Sequence, residues 1–424
     1  MNPLIVIPVF ISARNRDTGE TIATTYDHPS TLGRIEDLPR CLESLGGVNE
    51  MAPIVILVAA DSGIEYQAAD RIRSICEQFP SLDILVMGPN ELEQVRQRFE
   101  EQGLDRMEEE IGLAGYSAVR NLGMMLANVF GFDAVVFLDD DEVVDDREFL
   151  STAMYGLGKL TKHGIPILAK TGYYLNAEGS YRAPAQEKWY DRHWEQSRAF
   201  NRWIEKAMKG PRLVRSRHAC GGCLAIHREA FMRVSFDPWC VRGEDLDYLL
   251  NLRMYGADLW FDNKWQLRHL PPESRSEGTR FRQDIYRWLY EFRKVEYSHT
   301  QIDLQQIKPS SLEPYPGPFL EEGVEKRIRR TARLRSFGRP DKAAYREAAS
   351  AAANEASIYA QEHCADYFEF QSIWPEVMAR MEGDQKLSAT LLEAFATEAA
   401  DGVRDHGRNI DPGSTGEIQL NMQE

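Results

Sequence analysis

The chain has 424 residues and a formal net charge of −16 at pH 7, from 50 Lys and Arg against 66 Asp and Glu. This acidic balance argues against nonspecific nucleic-acid binding, because such binding needs broad positive potential. The length allows one large α/β domain with an appended piece, or two modest domains. We therefore expect no nucleic-acid partner.

Targeting signals and disulfides are not expected. The N-terminus has no basic segment and no cleavage-site pattern, and no stretch approaches the roughly eighteen apolar residues that span a bilayer. The six cysteines are scattered over a large chain. This spacing is typical of reduced thiols rather than of a disulfide framework. These features predict a cytoplasmic protein.

Short apolar runs alternate with helix-like stretches in the first third of the chain. The β-branched content and the length of the runs favour strands over helices. Strand–helix alternation predicts an α/β fold with a mainly parallel sheet and helices on both faces. Ligands bind beyond the carboxyl ends of such strands, so the residues after each run are site candidates. The predicted strands are Leu4–Phe10, Ile54–Ala60, Leu82–Met87 and Ala134–Leu138, and the predicted helices lie near 36–46, 65–78 and 115–129.

The fourth run ends in the acidic sequence Asp139-Asp140-Asp141-Glu142. Like charges this close together are costly unless a cation neutralises them. Mg²⁺ and Mn²⁺ prefer oxygen ligands and often leave positions open for substrate phosphates. Asp139 and Asp141 are two residues apart and can lie near one ion. A solvated acidic turn at a strand end is the alternative interpretation of this run taken alone.

Four segments of this region are VIPVF, VAADSG, GYSAVRNLGMMLA and FLDDDEVV. Together they resemble the nucleotide-binding half of GT-A-fold, family-2-like glycosyltransferases, over about residues 3–145. The resemblance implies a Rossmann-like GT-A fold in which Pro8 and Phe10 lie near the base of a sugar nucleotide. It gives Asp61 the base-contacting role, and it puts Arg120 in the place of the basic residue of a G-x-A-R-N pattern.

The same resemblance identifies the acidic run as a DxD motif. It implies that Asp139 and Asp141 hold Mn²⁺ or Mg²⁺ on the donor diphosphate. It also places Asp139 and Asp140 in the nucleotide-sugar site.

A second cluster lies between residues 218 and 270. Gly221 and Gly222 precede a short apolar run, and glycine permits close approach of a sugar to the backbone. Glu244 and Asp245 begin an apolar-periodic helix. The helix dipole favours acids in a first turn, and this is the alternative, purely structural interpretation of the pair.

This second cluster resembles the acceptor half of the GT-A fold. The resemblance implies that Asp245 is the general base, that Glu244 contacts the acceptor hydroxyl and that His269 is a third metal ligand. A sugar hydroxyl is a poor nucleophile, so a carboxylate that takes its proton assists attack. The metal stabilises the departing diphosphate.

The remainder of the chain is largely helical. A loop rich in Pro and Ser, Lys308–Pro318, predicts a boundary before a C-terminal extension. The basic run Glu325–Lys342 contains eight Lys or Arg residues and allows contact with a membrane surface or an acidic partner, although a solvated cationic face is the default. The predicted divisions are 1–300, with a nucleotide-sugar half 1–145 and an acceptor half 146–300, a helical extension 301–408, and a disordered tail 409–424.

These features predict a metal-dependent glycosyltransferase that moves a hexose from a UDP- or GDP-linked sugar to a hydroxyl acceptor, a saccharide or a small anionic molecule. Direct displacement with inversion, Asp245 acting as base, is the first expectation. A retaining synthase of the glucosyl- or mannosyl-glycerate type is an alternative. A nucleotidyltransferase is another alternative, and it would normally have a glycine-rich basic loop after the first strand. The chain has Arg14 and Arg16 there but no glycine cluster, which disfavours this alternative. A catalytically inactive sugar- or partner-binding module is the non-enzyme alternative. Oligomeric state is not indicated.

Overall fold

A ten-stranded sheet lies at the centre of the protein. The structure is a computed structural model, and it describes residues 1–13, 26, 29–184, 188–272 and 277–393. The order across the sheet is β4-β3-β1-β5-β9-β7-β10-β6, with β2 beside β1 and β8 beside β10. The strands are β1 Pro3–Ser12, β2 Ser30–Thr31, β3 Ile54–Ala60, β4 Ile84–Met87, β5 Ala134–Phe137, β6 Glu142–Val143, β7 Ala169–Leu175, β8 Leu213–Arg215, β9 Leu224–His227 and β10 Leu259–His269.

Helices separate the strands and make up most of the chain after β10. They are α1 Asp37–Leu45, α2 Glu65–Cys76, α3 Pro89–Gln102, α4 Tyr116–Val129, α5 Phe149–Met154, α6 Gln196–Met208, α7 Arg228–Phe231, α8 Glu244–Met254, α9 Glu277–Ser298, α10 Val324–Gly338, α11 Lys342–Glu347, α12 Ala353–His363 and α13 Asp366–Arg380. A further helix is described over residues 385–393. Short 3₁₀ turns are Asp105–Met107, Trp189–Asp191, Pro309–Leu312 and Gly317–Phe319, and a π turn is Ala348–Ala352.

The α/β class predicted from the sequence is confirmed. Strand β1 pairs in parallel with β3 and β5, and β3 pairs in parallel with β4. Alternate residues of β1 pack on opposite faces of the sheet, with Leu4 and Val6 in one core and Ile5 and Ile7 in the other. A strand that is buried on both faces has a continuous apolar sequence, which is why β1 could be predicted from its residues.

Strand β9 departs from the parallel pattern. It runs antiparallel to β5 and β7, with Phe137 opposite Leu224. Its amino end therefore lies at the sheet edge where β5 ends. This reversal places Gly221 and Gly222 beside the acidic turn after β5, and it is the feature that joins the two predicted halves of the site.

The C-terminal helices pack against the sheet domain. Every residue of α4 after Tyr116 is buried. The Asn128 side-chain amide donates to the Met378 carbonyl at 2.6 Å, and the Trp374 indole donates to the Phe231 carbonyl at 2.8 Å. One hydrophobic core extends from Leu4 to Leu391. The division near residue 300 stays a prediction, but the core is continuous across it.

The segment predicted as a domain boundary, Lys308–Pro318, lies partly inside this core. Leu312 and Tyr315 are almost fully buried within it. The predicted tail, residues 409–424, lies outside the described residues, as do Arg14 and Arg16.

The basic run forms α10 and the turn after it. Arg335 donates to Asp191 at 2.7 Å, and Arg339 lies 3.3 Å from the same carboxylate. Arg329 pairs with Glu325 at 2.9 Å. Some of these cations therefore serve internal contacts, and membrane contact by the others stays a prediction. Within the described ranges, no helix has both the length and the apolarity needed to cross a bilayer.

Candidate active site

Arg120, on α4, connects the two predicted halves of the site. Its guanidinium donates to the Asp139 carboxylate at 3.0 Å, to the Glu244 carboxylate at 2.9 Å and to the Gly221 carbonyl at 3.0 Å. Only 3% of Arg120 is exposed. Burial lowers the pKa of Arg120, but Asp139 and Glu244 outweigh that effect and raise it, so the guanidinium stays charged. The fork shape of arginine suits three partners held in fixed directions.

The two glycines make room for this arrangement. A Cβ atom on Gly221 would lie 2.6 Å from a guanidinium nitrogen of Arg120. A Cβ atom on Gly222 would lie 2.2 Å from the Glu142 carboxylate. The space that their missing side chains leave is thus occupied by protein side chains. Contact of these glycines with a sugar stays a prediction.

The acidic turn after β5 concentrates negative charge in a desolvated place. Burial, followed by neighbouring carboxylates, raises the pKa of Asp140 and of Glu142 well above the usual range. Burial also raises the pKa of Asp139, although Arg120 opposes the shift. Glu142 is fully buried, and its Oε1 has no hydrogen-bond partner among the described residues. Uncompensated buried carboxylates of this kind fit a bound cation.

Asp141 and His269 form the closest pair of predicted metal ligands. Strand β6 pairs antiparallel with the end of β10, with Glu142 opposite His269. This pairing brings Nε2 of His269 within 3.3 Å of Oδ2 of Asp141. The His269 ring lies against Tyr174 with the ring centroids 4.8 Å apart, which holds its orientation. Burial lowers the pKa of His269, but the hydrogen bond to Asp141 outweighs it and the net shift is upward.

Asp139 lies next to this pair but is turned toward Arg120. Among the described residues, the one group of three acidic, Cys or His side chains whose ligand atoms all lie within 4.8 Å of one another is elsewhere, at Cys240, Asp247 and Glu291. The structure therefore brings together Asp141 and His269, and a metal role for Asp139 stays a prediction.

The Cys240 group is part of a buried charge network between α8 and α9. The Lys294 ammonium donates to Asp237 and to Asp247, both at 2.5 Å. Burial raises the pKa of Glu291 well above the usual range. Lys294 supplies the positive charge that a metal would otherwise bring, so this network is interpreted as structural.

Asp245 lies at the start of α8, directly after Gly243. Gly243 has a φ of +73°, a conformation that favours glycine, and it turns the chain into the helix. The Asp245 carboxylate accepts from the amide of Leu246 at 2.6 Å, and its side chain is partly exposed. Glu244, by contrast, is 7% exposed and bonded to Arg120, so the structure gives it a positioning contact. Contact of Glu244 with the acceptor hydroxyl stays a prediction.

At the predicted nucleotide end of the site, Phe10 is joined by two aromatic rings that sequence reasoning missed, those of Tyr26 and Tyr116. Asp61 accepts hydrogen bonds from the Ser12 hydroxyl and the Ala13 amide, both at 2.9 Å. Phe10 lies 4.1 Å from Tyr26 and 4.9 Å from Tyr116, measured between ring centroids. Such a trio can accept a flat ring. Pro8 is buried inside β1, and its contact with a base stays a prediction.

Tyr174 was also missed. Its hydroxyl accepts from the Gly222 amide at 2.8 Å, and its ring contacts His269. In the sequence it is one of two adjacent tyrosines in a strand, and only strand pairing shows which of them faces the site. Knowing which alternate residues of β7 face the site would have identified Tyr174.

Comparison with known proteins gives a limited result. No family model and no curated protein matches the chain. Many solved structures resemble it, among them three with 12% sequence identity. A mannosyltransferase, PcManGT from Pyrobaculum calidifontis, in complex with GDP-Man and Mn²⁺, has a TM-score of 0.46 and aligns over 92% of this chain and 87% of its own. GalNAc-T7 with UDP, GalNAc and Mn²⁺ has a TM-score of 0.36 and aligns over 68% of this chain and 50% of its own. A mycobacterial protein has a TM-score of 0.34 and aligns over 68% of this chain and 72% of its own.

Two of these three structures are glycosyltransferases, the class that the sequence resembles. At this identity, and with TM-scores below 0.5, the likenesses carry no argument about activity. Any proposal about activity therefore rests on the chemistry of the site.

Proposed function

We propose that the chain is a metal-dependent glycosyltransferase that moves a hexose from a nucleoside diphosphate sugar to a hydroxyl acceptor. The observation that carries this proposal is the Arg120 cluster. One buried guanidinium joins Asp139, Glu244 and Gly221 at the sheet edge where strands β5 and β9 meet. The Asp245 carboxylate acts on Arg120 electrostatically, and Asp141 and His269 act on its partner Asp139.

The Asp141–His269 pair suits an octahedral cation. Neighbouring ligands at about 2.1 Å from Mg²⁺ or a similar ion lie about 3.0 Å from each other. The observed separation of 3.3 Å is close to this value. Asp141 and His269 would hold Mn²⁺ or Mg²⁺, with Asp139 and Asp140 adding negative charge beside it. The bound metal supplies stabilisation of the charge that develops on a departing diphosphate.

The donor nucleotide would lie across the carboxyl ends of β1 and β3. The rings of Phe10 and Tyr116 offer a stacking surface, and Asp61 lies at the same edge to accept hydrogen bonds from a base. Both uracil and guanine carry suitable N–H donors, so UDP- and GDP-linked sugars are the candidates.

Asp245 would act as the general base. It is partly exposed, and its position at the start of α8 leaves the carboxylate open to an acceptor hydroxyl. Glu244 is held by Arg120 next to it, so its own charge is neutralised. A carboxylate that takes the acceptor proton during attack supports direct displacement with inversion. Retention would instead require the acceptor to attack from the face that the diphosphate leaves.

Nucleotide binding is the first test of this proposal. The thermal unfolding midpoint should rise with one UDP- or GDP-sugar in Mn²⁺ and should not rise in EDTA. A donor at about 100 times its dissociation constant adds about 2.7 kcal/mol to the free energy of unfolding. A shift that persists unchanged in EDTA, or no shift with any sugar nucleotide, would contradict the proposal.

Asp245→Asn is expected to retain the donor-dependent shift and to lower turnover by a factor of about 10² to 10⁴, the usual contribution of a positioned base. Turnover is followed as release of nucleoside diphosphate from the donor in the presence of an acceptor extract. Asp303→Asn, at an exposed position, is the matched control and should turn over like the wild type. Normal turnover by Asp245→Asn would remove this residue from the role of base.

A further inference from the structure

One buried cation near Asp245 is not used by the reaction described above. Arg287, on α9, is only 8% exposed. No hydrogen bond or ion pair joins its guanidinium to any residue in the described ranges, and its Nε is enclosed without a partner. The guanidinium carbon lies over the Trp288 ring, 4.7 Å from the ring centroid. Arg120, by contrast, donates to two carboxylates and a carbonyl.

Arg287 stays charged but lacks hydrogen-bond acceptors: burial lowers its pKa, while Tyr315, Asp245 and Glu291 outweigh burial and raise it. Removing a charged group from water costs several kcal/mol unless partners replace the water. Arg287 has five N–H donors and no described acceptor for them. A buried donor without an acceptor calls for an explanation, and a ligand that supplies the acceptor is one.

The surroundings of Arg287 place it at the Asp245 end of the site. Gly243, two residues before Asp245, has no side chain, and a Cβ there would lie 2.0 Å from the guanidinium carbon. The charged and polar groups that act on Arg287 are Tyr315, Asp245, Glu291 and Cys240. A Cβ at residue 243 would fill the place of the guanidinium, so the backbone before α8 is shaped around it.

The metal end of the site has other cations. Arg120 acts on Asp139, and Arg280 is the arginine that acts on His269. Arg287 is not among the main influences on either residue. An anion bound by Arg287 would therefore lie beside the proposed base and away from the donor diphosphate.

Aromatic side chains enclose the same space. The His218 ring lies 6.2 Å from the ring of Tyr315, and Tyr315 lies 6.2 Å from Trp288, measured between centroids. Burial lowers the pKa of His218 to about 4, so it is neutral at pH 7 and does not compete with Arg287 as a cation. Tyr315 and Arg287 both come from the part of the chain after β10. The C-terminal helices thus contribute directly to this subsite.

We propose that Arg287 binds an anionic group, a carboxylate or a phosphate, of the acceptor whose hydroxyl faces Asp245. This inference rests on the proposed function, since it specifies the acceptor of that reaction. A planar guanidinium binds both oxyanions through paired hydrogen bonds, so the two share one recognition chemistry. The acceptor would then be a hydroxy acid or a phosphorylated polyol or sugar rather than a neutral saccharide.

The test uses small anions as probes of the full-length chain, without nucleotide and in EDTA. The thermal midpoint is measured against increasing acetate, inorganic phosphate and acetamide, with ionic strength held constant by NaCl. Acetamide is the neutral counterpart of acetate. We expect a saturable increase with acetate or phosphate and none with acetamide. An increase with acetate alone indicates a carboxylate acceptor, and an increase with phosphate alone indicates a phosphorylated one.

The variants are Arg287→Gln, Arg287→Lys and the control Arg293→Gln. Arg293 is on the same helix, but it is only partly buried and pairs with Glu296 at 2.7 Å. Arg287→Gln should abolish the anion response, Arg287→Lys should retain part of it, and Arg293→Gln should respond like the wild type. The Arg287→Gln midpoint without anions should fall below that of the wild type, because Arg287 opposes the upward pKa shift of the buried Glu291 carboxylate.

Two results would overturn this inference: no anion response above acetamide in the wild type, or a response that survives Arg287→Gln. A fall in the midpoint of both Arg287 variants with an unchanged anion response would show a purely structural role. Donor binding is a separate readout. If the Mn²⁺-dependent nucleotide shift is absent while the Arg287-dependent anion response is present, the proposed function fails and the anion subsite stands.

Discussion

Arg120→Leu is expected to lower the free energy of unfolding by about 3–5 kcal/mol, the cost of removing one partner from a buried ion pair. The substitution strands the Glu244 carboxylate, which is 7% exposed, and leaves the Gly221 carbonyl without its donor. Burial already raises the pKa of Glu244, and Arg120 opposes that shift. Without Arg120 the pKa of Glu244 rises further. Urea unfolding at pH 7 measures the loss.

Three variants show whether the loss comes from this network. Arg34→Leu is the matched control, because Arg34 pairs with Glu36 on the surface, where both side chains are more than half exposed. It should leave stability almost unchanged, because solvent screens an exposed ion pair. Glu244→Gln added to Arg120→Leu should recover part of the loss by neutralising the stranded carboxylate. Arg120→Lys keeps the charge but cannot reach three partners at once, so it should be intermediate. A loss no larger than that of Arg34→Leu would show that Arg120 does not hold the site together.

Asp141→Ala is expected to abolish the Mn²⁺-dependent stabilisation by the sugar nucleotide, about 2.7 kcal/mol for a donor at 100 times its dissociation constant. Asp141 is one of the two proposed metal ligands that the structure brings together. Removing it leaves His269 as a single ligand in that pair. The measurement is the thermal midpoint with and without donor, each in Mn²⁺ and in EDTA.

Asp145→Ala is the matched control for this experiment. Asp145 is four residues further along and pairs on the surface with Arg268, the neighbour of His269. It should leave the nucleotide response intact. Asp141→Ala should also fold normally, because it removes one of several mutually repelling carboxylates. An unchanged Mn²⁺-dependent shift in Asp141→Ala would exclude Asp141 from the metal site.

The direction of strand β9 illustrates the limit of sequence reasoning. The apolar run at Leu224–His227 is short, and a run of this length predicts a strand but not its partner or its direction. Only the pairing with β5 and β7 shows that Gly221 and Gly222 lie beside the acidic turn. The prediction that the two halves form one site depended on resemblance, and the sheet register now supplies a physical reason for it.

The contacts of Arg120 also could not be predicted from the sequence. Its place in GYSAVRN suggested a donor contact, but nothing in the sequence links residue 120 to residue 244. The contact exists because α4 packs against β5, at the edge where the antiparallel strand β9 brings Gly221 beside the acidic turn. Arg287 was not singled out at all, since a lone arginine in a charged helix has no distinguishing pattern before its burial is known.

By itself the sequence determined the α/β class, the first strands and helices within a few residues, and the acidic turn after Phe137. These features follow from side-chain periodicity and from the residues that end a strand, which are local properties of the chain. Tertiary structure alone decided the antiparallel course of β9, the three-way bonding of Arg120, the Phe10–Tyr116 ring surface and the isolation of Arg287. Each of these depends on which distant segments meet, and on how much water they exclude, because pairing register and burial are properties of the whole fold.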